Sequence, residues 1–507
     1  MIIEALIAFT FAAALLVFAV PNKYAGKVAF GLSLVPVIGS LYMWSLFESG
    51  GNALTGGDIA FETIIPWVEI AGIQVQWFVG VDGISLPLVV LTTFLTSLAI
   101  VSAWTPIKER QSQFYGLMLF MEANLLGVFM ALDFFLWFIF WEAVLVPMYF
   151  LIGVWGGPRR KYAAIKFFVY TNVASLVMFI GFMALVFGLN VETFGLPEIT
   201  QALANDQLGT WFGIAPDTLK LIAFLALFVG FAVKVPVVPV HTWLPDAHVE
   251  APTPVSVMLA GVLLKMGTYA LLRFNFTMLP EQASLLAVPI AIIAVVSVIY
   301  GAMLALAQTD LKRIVAYSSV SSMGYVILGL IAFTEFGVGG ATFQMVAHGL
   351  ISGLMFMSVG VIYNATHTRI VSDMSGLADR MPVAVGILIA GAFAYMGLPL
   401  MAGFAGEFFI FAGSFGSTFL PYAPIFTALA MFGIVIVAGY LLLAMQKTLF
   451  GEYRLETDYE VTAAPLHDVA PMAVLLLAII ALGVAPWVFL DMIFDAVAPI
   501  LANGGGL

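Results

Sequence analysis

Apolar residues run along this chain in blocks of about 18 or more, long enough at about 1.5 Å rise per residue to cross the hydrocarbon of a bilayer. The blocks begin near residues 2, 28, 84, 114, 134, 163, 219, 254, 284, 314, 338, 383, 424 and 470. They predict an all-α membrane protein of about 14 transmembrane helices. The first block, Ile2 to Val20, has the length of a signal peptide, but it opens with Glu4 and is followed by Lys23 and Lys27. It is expected to be a retained span.

Composition narrows the class further. Hydrophobic residues make up 63% of the chain and charged residues 9%, too little polar surface to coat a soluble protein. With no cysteine there is no thiolate-held iron–sulfur cluster, disulfide or Cys-ligated zinc. The histidines His241, His248, His348, His367 and His467 offer no facing pair for a membrane haem, so no cofactor is expected in this chain. The net charge of −11 comes largely from two loops, 48–69 and 452–468, and no basic patch supports nucleic-acid binding.

Assigning loops alternately to the two faces sorts the cations. Lys23, Lys27, Lys108, Arg110, Arg159, Arg160, Lys161, Lys166, Lys312, Arg313, Arg369, Arg380, Lys447 and Arg454 fall at one end, Lys220 and Arg273 at the other. The rich end is expected to be cytoplasmic, with both termini on the outer face.

Two spans carry helix breakers about 160 residues apart: Gly230-Phe-Ala-Val-Lys234-Val-Pro236-Val-Val-Pro239 and Gly397-Leu-Pro399-Leu-Met-Ala-Gly403-Phe-Ala-Gly406-Glu407. Proline removes a backbone donor and frees carbonyls, which is tolerable at membrane depth only against protein or a hydrated cavity. Each is the fourth helix of a five-helix set, 114–276 and 284–450. An odd number of helices makes such sets inverted repeats. Residues 1–113 supply three preceding helices, and 451–507 an acidic loop and a fourteenth helix.

Six ionisable groups fall inside spans: Glu122, Glu142, Lys234, Lys265, His348 and Glu407. A charge at mid-membrane costs about 2.5–3.5 kcal/mol even on a lenient scale. Lys265, near the middle of Pro254 to Phe276 and roughly 16 Å from either end, cannot easily reach bulk water. A lysine and a carboxylate about 4 Å apart at an effective dielectric near 20 attract by roughly 4 kcal/mol, so moving one against the other loads or discharges a proton. Such pairs, linked by histidine, serine and water, make a stepwise proton path. Glu122 is read as structural, and Asp133 as the N-cap of the next helix.

The run His241-Thr-Trp-Leu-Pro-Asp-Ala-His248-Val-Glu250-Ala-Pro-Thr-Pro254-Val-Ser256, followed by Leu263-Leu-Lys265-Met-Gly267-Thr-Tyr269, closely resembles the signature of the antiporter-like subunits of respiratory complex I. Val81-Asp82-Gly-Ile-Ser85 and Thr309-Asp310-Leu-Lys312-Arg313 resemble further motifs of that family. Glu407, where the L-type, N-type and large antiporter subunits generally carry lysine, makes the chain most similar to the M-type.

The resemblance implies a proton-translocating membrane-arm subunit of NADH:quinone oxidoreductase. In that role Glu142 and Lys234 would interact, Lys265 would be the central relay, Glu407 would face the second half-channel, and His241 and His348 would stand in the hydrated axis. It also implies that NADH, FMN, iron–sulfur clusters and quinone are used by other parts of the complex. L-type and N-type neighbours in a bacterial cytoplasmic membrane are implied as well, and a sodium/proton antiporter subunit is the alternative. One position departs from some relatives, which have histidine where Ser321-Ser322-Met323-Gly324 has Ser322. A water held by Ser322 could bridge that step.

Overall fold

A computed structural model describes residues 1–48, 50–189 and 191–504. Among these, 13 helices are long and apolar enough to cross a membrane. Two shorter apolar helices, Pro382–Tyr395 and Ala402–Phe415, follow each other across the second proline-containing break and supply one more crossing. Every block of the hydrophobic pattern thus becomes a span, and the chain is a multi-pass membrane protein.

Burial sorts these helices by polarity. The eighth span (Thr253–Thr277) and the eleventh (Glu335–Thr366) are buried throughout their most apolar window, and the tenth (Leu311–Ile331) nearly so. The second (Asn22–Leu46) and fourteenth (Leu466–Val484) are 28% buried. The central spans hold Lys265, His348 and Ser322, while the peripheral ones turn leucine, valine and phenylalanine outward. Ionised and hydroxylated side chains therefore sit where other helices can shield them from lipid.

The central helices are irregular where chemistry gathers. The eighth span passes through π-helical turns at Leu259–Leu263 and Leu271–Thr277. The fifth divides into Phe134–Ala143 and Leu145–Trp155, since Pro147 gives the preceding turn no N–H. The seventh runs Pro216–Lys234, leaves the helix at Val235 and resumes as Trp243–Glu250.

Several elements lie beyond the hydrophobic pattern, two of them substantial. Part of the acidic segment 48–69 and the residues after it form an antiparallel hairpin, Ala60–Ile70 with Ile73–Val81, turning at Ala71 and Gly72, both with positive φ. The C-terminal block is two helices, because Pro486 ends the crossing and a separate helix, Trp487–Gly504, follows. Phe489, Leu490, Ile493, Ala496, Val497 and Ile500 bury one face of it, at helical spacing. Asn52 Nδ2 donates to Ala496 O at 2.9 Å and ties this helix to the segment before the hairpin.

Candidate functional site

Glycines set the distance between the eighth and eleventh spans. A Cβ on Gly349 would lie 2.8 Å from Gly261 O, so the two backbones touch there, as small residues allow in membrane helices. Lys265, about one turn beyond Gly261, thereby meets His348, the neighbour of Gly349. Lys265 Nζ lies 2.6 Å from His348 Nδ1 and donates to Ala260 O, a carbonyl of the first π-helical turn, at 2.5 Å.

From His348 the polar contacts continue. Its Nε2 is 3.0 Å from Tyr395 Oη, and Ser322 Oγ donates to the same oxygen at 3.4 Å. Ser322, Gln344, His348, Tyr395 and Glu407, with Ile351 and Ala394, line one cavity of about 10 Å³ for a water centre, room for roughly one water. Gly397, at φ +69°, faces the carboxylate. A Cβ there would stand 2.5 Å from Glu407 Oε2. Three expected residues, Lys265, His348 and Glu407, are thus gathered in one polar track, with Ser322 at the expected water-sized step.

The first break is built differently. Lys234 is the last residue of its helix, where the carbonyl end of the dipole favours a cation. Its Nζ lies 4.8 Å from the Trp141 ring centroid and has no hydrogen-bond partner. Trp141 is fixed by donating from Nε1 to Ser175 Oγ at 2.9 Å, and Trp243 Nε1 donates to Val233 O at 2.9 Å across the break. Glu142 Oε2 accepts from Asn172 Nδ2 at 2.9 Å. The interaction expected of Glu142 with Lys234 is therefore not a direct salt bridge: among the described residues no ion pair joins them. Cation and carboxylate each lean on a third side chain, Trp141 and Asn172.

His241 also stands apart from the Lys265 track. Its ring centre is 6.0 Å from that of Tyr300 and 6.3 Å from that of Tyr317, and its Nδ1 has no partner. Glu122 is fully buried, and neither carboxylate oxygen has a hydrogen-bond partner. Asp133 caps the fifth span by accepting from Leu136 N at 3.1 Å, as expected, and also accepts from Gln76 N at 2.9 Å. Burial nevertheless pushes its carboxyl up to about 6, against those backbone donors.

The ends of the bundle hold ion pairs in place of loose loop charges. At one end Arg273 Nη2 meets Asp82 Oδ1 at 2.6 Å, and both are buried. Burial works against the Asp82 charge, but the guanidinium outweighs it and holds the carboxyl below the ordinary carboxylate value. At the other end Arg369 meets Asp310 at 2.6 Å, Lys166 meets Asp246 at 2.7 Å, and Lys312 Nζ donates to Ala251 O at 2.8 Å.

One uncharged member of the track, Tyr395, and one buried imidazole outside it, His248, are added by the structure. Tyr395 does not stand out in the sequence, because a tyrosine carries no charge at neutral pH. Its place just ahead of Gly397 and Pro399 was the available signal. His248 is fully buried, stacked on Phe356 with ring centres 4.4 Å apart, and neither ring nitrogen has a partner.

Comparison with known proteins adds an independent line. The family model described as NADH:quinone oxidoreductase/Mrp antiporter, TM, matches residues 131–437. The chain is 40% identical over 472 residues to the F(420)H(2) dehydrogenase subunit M of Methanosarcina mazei, covering 92% of this chain and 91% of that one. It is 42% identical over 477 residues to an NAD(P)H-quinone oxidoreductase chain 4 of Synechococcus, covering 90% and 87%. Among solved structures, a chain of respiratory complex I from Thermus thermophilus superposes with a TM-score of 0.85 at 26% identity, covering 100% of this chain and 99% of that one. A chain of the Mrp complex from Dietzia shares the fold, with a TM-score of 0.84 at 19% identity and coverage of 99% and 98%.

Proposed function

The chain belongs to the NADH:quinone oxidoreductase/Mrp antiporter membrane family, and on that premise we propose how its buried groups work. It is a proton-translocating, M-type membrane subunit of a quinone oxidoreductase of the complex I kind, and the redox chemistry resides in other subunits. Protons move along Lys265, His348, the Ser322 cavity and Glu407, with Glu142 and Lys234 as the charge-switching elements of the first half and His241 beside the hydrated axis.

The observation that carries this reading is the polar track through spans that lipid would otherwise keep apolar, hydrogen-bonded from Lys265 through His348 to Tyr395 and Ser322 and reaching Glu407 across a shared cavity. When Lys265 is protonated and Glu407 ionised, transfer between them neutralises two buried charges at once. When a charge on a neighbouring site changes, the balance reverses. That is electrostatic coupling without any bound redox group. At the first break Lys234 alternates between its place over Trp141 and an approach to Glu142, which changes the field felt by Lys265.

The same reading assigns residues 114–276 and 284–450 as inverted repeats, supported by the corresponding positions of their broken helices. It sets the cation-rich end in the cytoplasm of a bacterium and both termini in the periplasm. L-type and N-type subunits are the neighbours in the membrane arm.

The test is NADH-driven proton uptake into vesicles carrying the complex with Lys234→Ala or Glu142→Ala. Pumping is expected to fall several-fold while the assembled complex keeps its peripheral NADH-oxidising activity with an artificial acceptor. An undiminished proton-to-electron ratio in both variants would overturn the assignment of these two residues.

A further inference from the structure

We infer that the Tyr395 hydroxyl is the proton-relay group between His348 and Glu407, an inference that rests on the proton-translocating reading above. Three observations meet at this oxygen. His348 Nε2 is 3.0 Å away, Ser322 Oγ donates to it at 3.4 Å, and it stands on the wall of the small cavity that Glu407 also lines. Tyr395 ends the helix Pro382–Tyr395, immediately before the break. It is 5% exposed, so bulk water does not offer an easy alternative route.

The hydroxyl has the chemistry that the step needs, because it donates one proton while accepting another. In the starting state Lys265 is an ammonium, His348 carries its proton on Nε2, and Glu407 is a carboxylate. Lys265 Nζ gives a proton to His348 Nδ1, and the Nε2 proton passes to Tyr395 Oη. The phenolic proton passes through a cavity water, steadied by Ser322, to the Glu407 carboxylate. Lysine ends neutral and glutamate ends as the acid, while histidine and tyrosine each still hold one proton. Before the next transfer the hydroxyl must rotate and the His348 proton must return from Nδ1 to Nε2, while the field at Lys265 and Glu407 sets the direction.

Without Tyr395 the gap between an imidazole and a carboxylate would have to be closed by water alone, and the cavity has space for about one molecule. Ser322 cannot take over, since its hydroxyl meets the tyrosine oxygen and no contact with His348 joins the two. An imidazole introduced at 322, on the same cavity wall, could both accept and donate. It should therefore restore the path.

The experiment uses the whole complex in vesicles and measures protons moved per NADH oxidised, in H2O and in D2O. Tyr395→Phe should assemble and lower coupled proton transport about five- to tenfold, with a changed solvent isotope effect. The double variant Tyr395→Phe with Ser322→His should recover at least half of the loss, which a merely structural role for the ring would not predict. Lys265→Ala is run alongside. If Tyr395→Phe pumps like the parent while Lys265→Ala does not, the tyrosine relay is wrong and the wider reading stands. If Lys265→Ala also pumps like the parent, the wider reading falls as well. Should Tyr395→Phe fail to assemble, 3-fluorotyrosine at 395 changes the acidity of the hydroxyl at nearly constant volume. It should shift the pH profile of transport, and an unshifted profile overturns the relay.

Discussion

The two broken helices hold their charged groups in opposite ways. At the second, Glu407 shares a cavity with Tyr395 and Ser322, and hydrogen bonds lead from there to His348 and Lys265. At the first, Lys234 rests on an aromatic face with its Nζ unbonded, and Glu142 is turned to Asn172. One break is connected for transfer and the other is held open. A cation over an indole is stabilised by about 0.5–2 kcal/mol, less than the roughly 4 kcal/mol attraction of a close pair at an intermediate dielectric. The open arrangement is thus a resting place that a modest change of field can empty, which suits a switch better than a permanent bridge.

The largest effect that bears on this contrast is expected at Lys265, the group on which the connected track begins. Lys265→Ala removes the donor to His348 and leaves Ala260 O without the lysine. Coupled proton transport should fall about tenfold or more, the equivalent of about 1.4 kcal/mol or more in the barrier. Proton uptake per NADH in vesicles measures it, and a fall no larger than that of Lys234→Ala would erase the distinction between the two regions.

A smaller effect is expected at Gly397, which tests how closely Glu407 is confined. The φ of +69° costs any other residue about 1–3 kcal/mol. A Cβ would also meet Glu407 Oε2 at 2.5 Å. That oxygen ends a flexible side chain, so the carboxylate is expected to swing out of the cavity while the helices keep their positions. Gly397→Ala should therefore lower proton transport by several-fold and the melting temperature of the detergent-solubilised complex by only a few degrees. A large loss of stability with unaltered transport would show that the glycine serves folding alone.

How much of this was legible in the sequence follows from the range of the forces involved. Spans are set by long apolar runs, so their number and order could be read directly. The second began earlier than the apolar run, at Asn22, because Lys23 and Tyr24 extend a helix whose polar tips can reach the interface. The hairpin Ala60–Ile70 and Ile73–Val81 does not register among lipid-length apolar runs because its strands are short and one is mostly exposed, although their β-branched and aromatic residues are a strand signal. Lys265, Glu407 and His348 stood out as individual charges or polar groups in lipid-length helices. Their convergence depends on helix crossings at Gly261 and Gly349, which no one-dimensional pattern contains. The separation of Glu142 and Lys234 is still less legible, because it depends on Trp141 and Asn172 competing for the two side chains.

That competition supplies the finest test of the first break. Trp141 offers Lys234 the face of its ring and is itself held by the Ser175 hydrogen bond. Trp141→Phe keeps an aromatic face but loses the indole N–H and part of the cation attraction, so transport should fall less than twofold. Trp141→Leu stays apolar but is smaller and loses the aromatic face altogether, removing about 1 kcal/mol of support for the charged lysine. It should slow transport about two- to fivefold, with the amount of assembled complex measured alongside because the smaller side chain leaves a cavity beside Trp137 and Phe231. Proton uptake in vesicles, normalised to assembled complex, separates the two substitutions. Equal transport in both would mean that the ring only fills space, and the open state of the first break would then need some other source of stability.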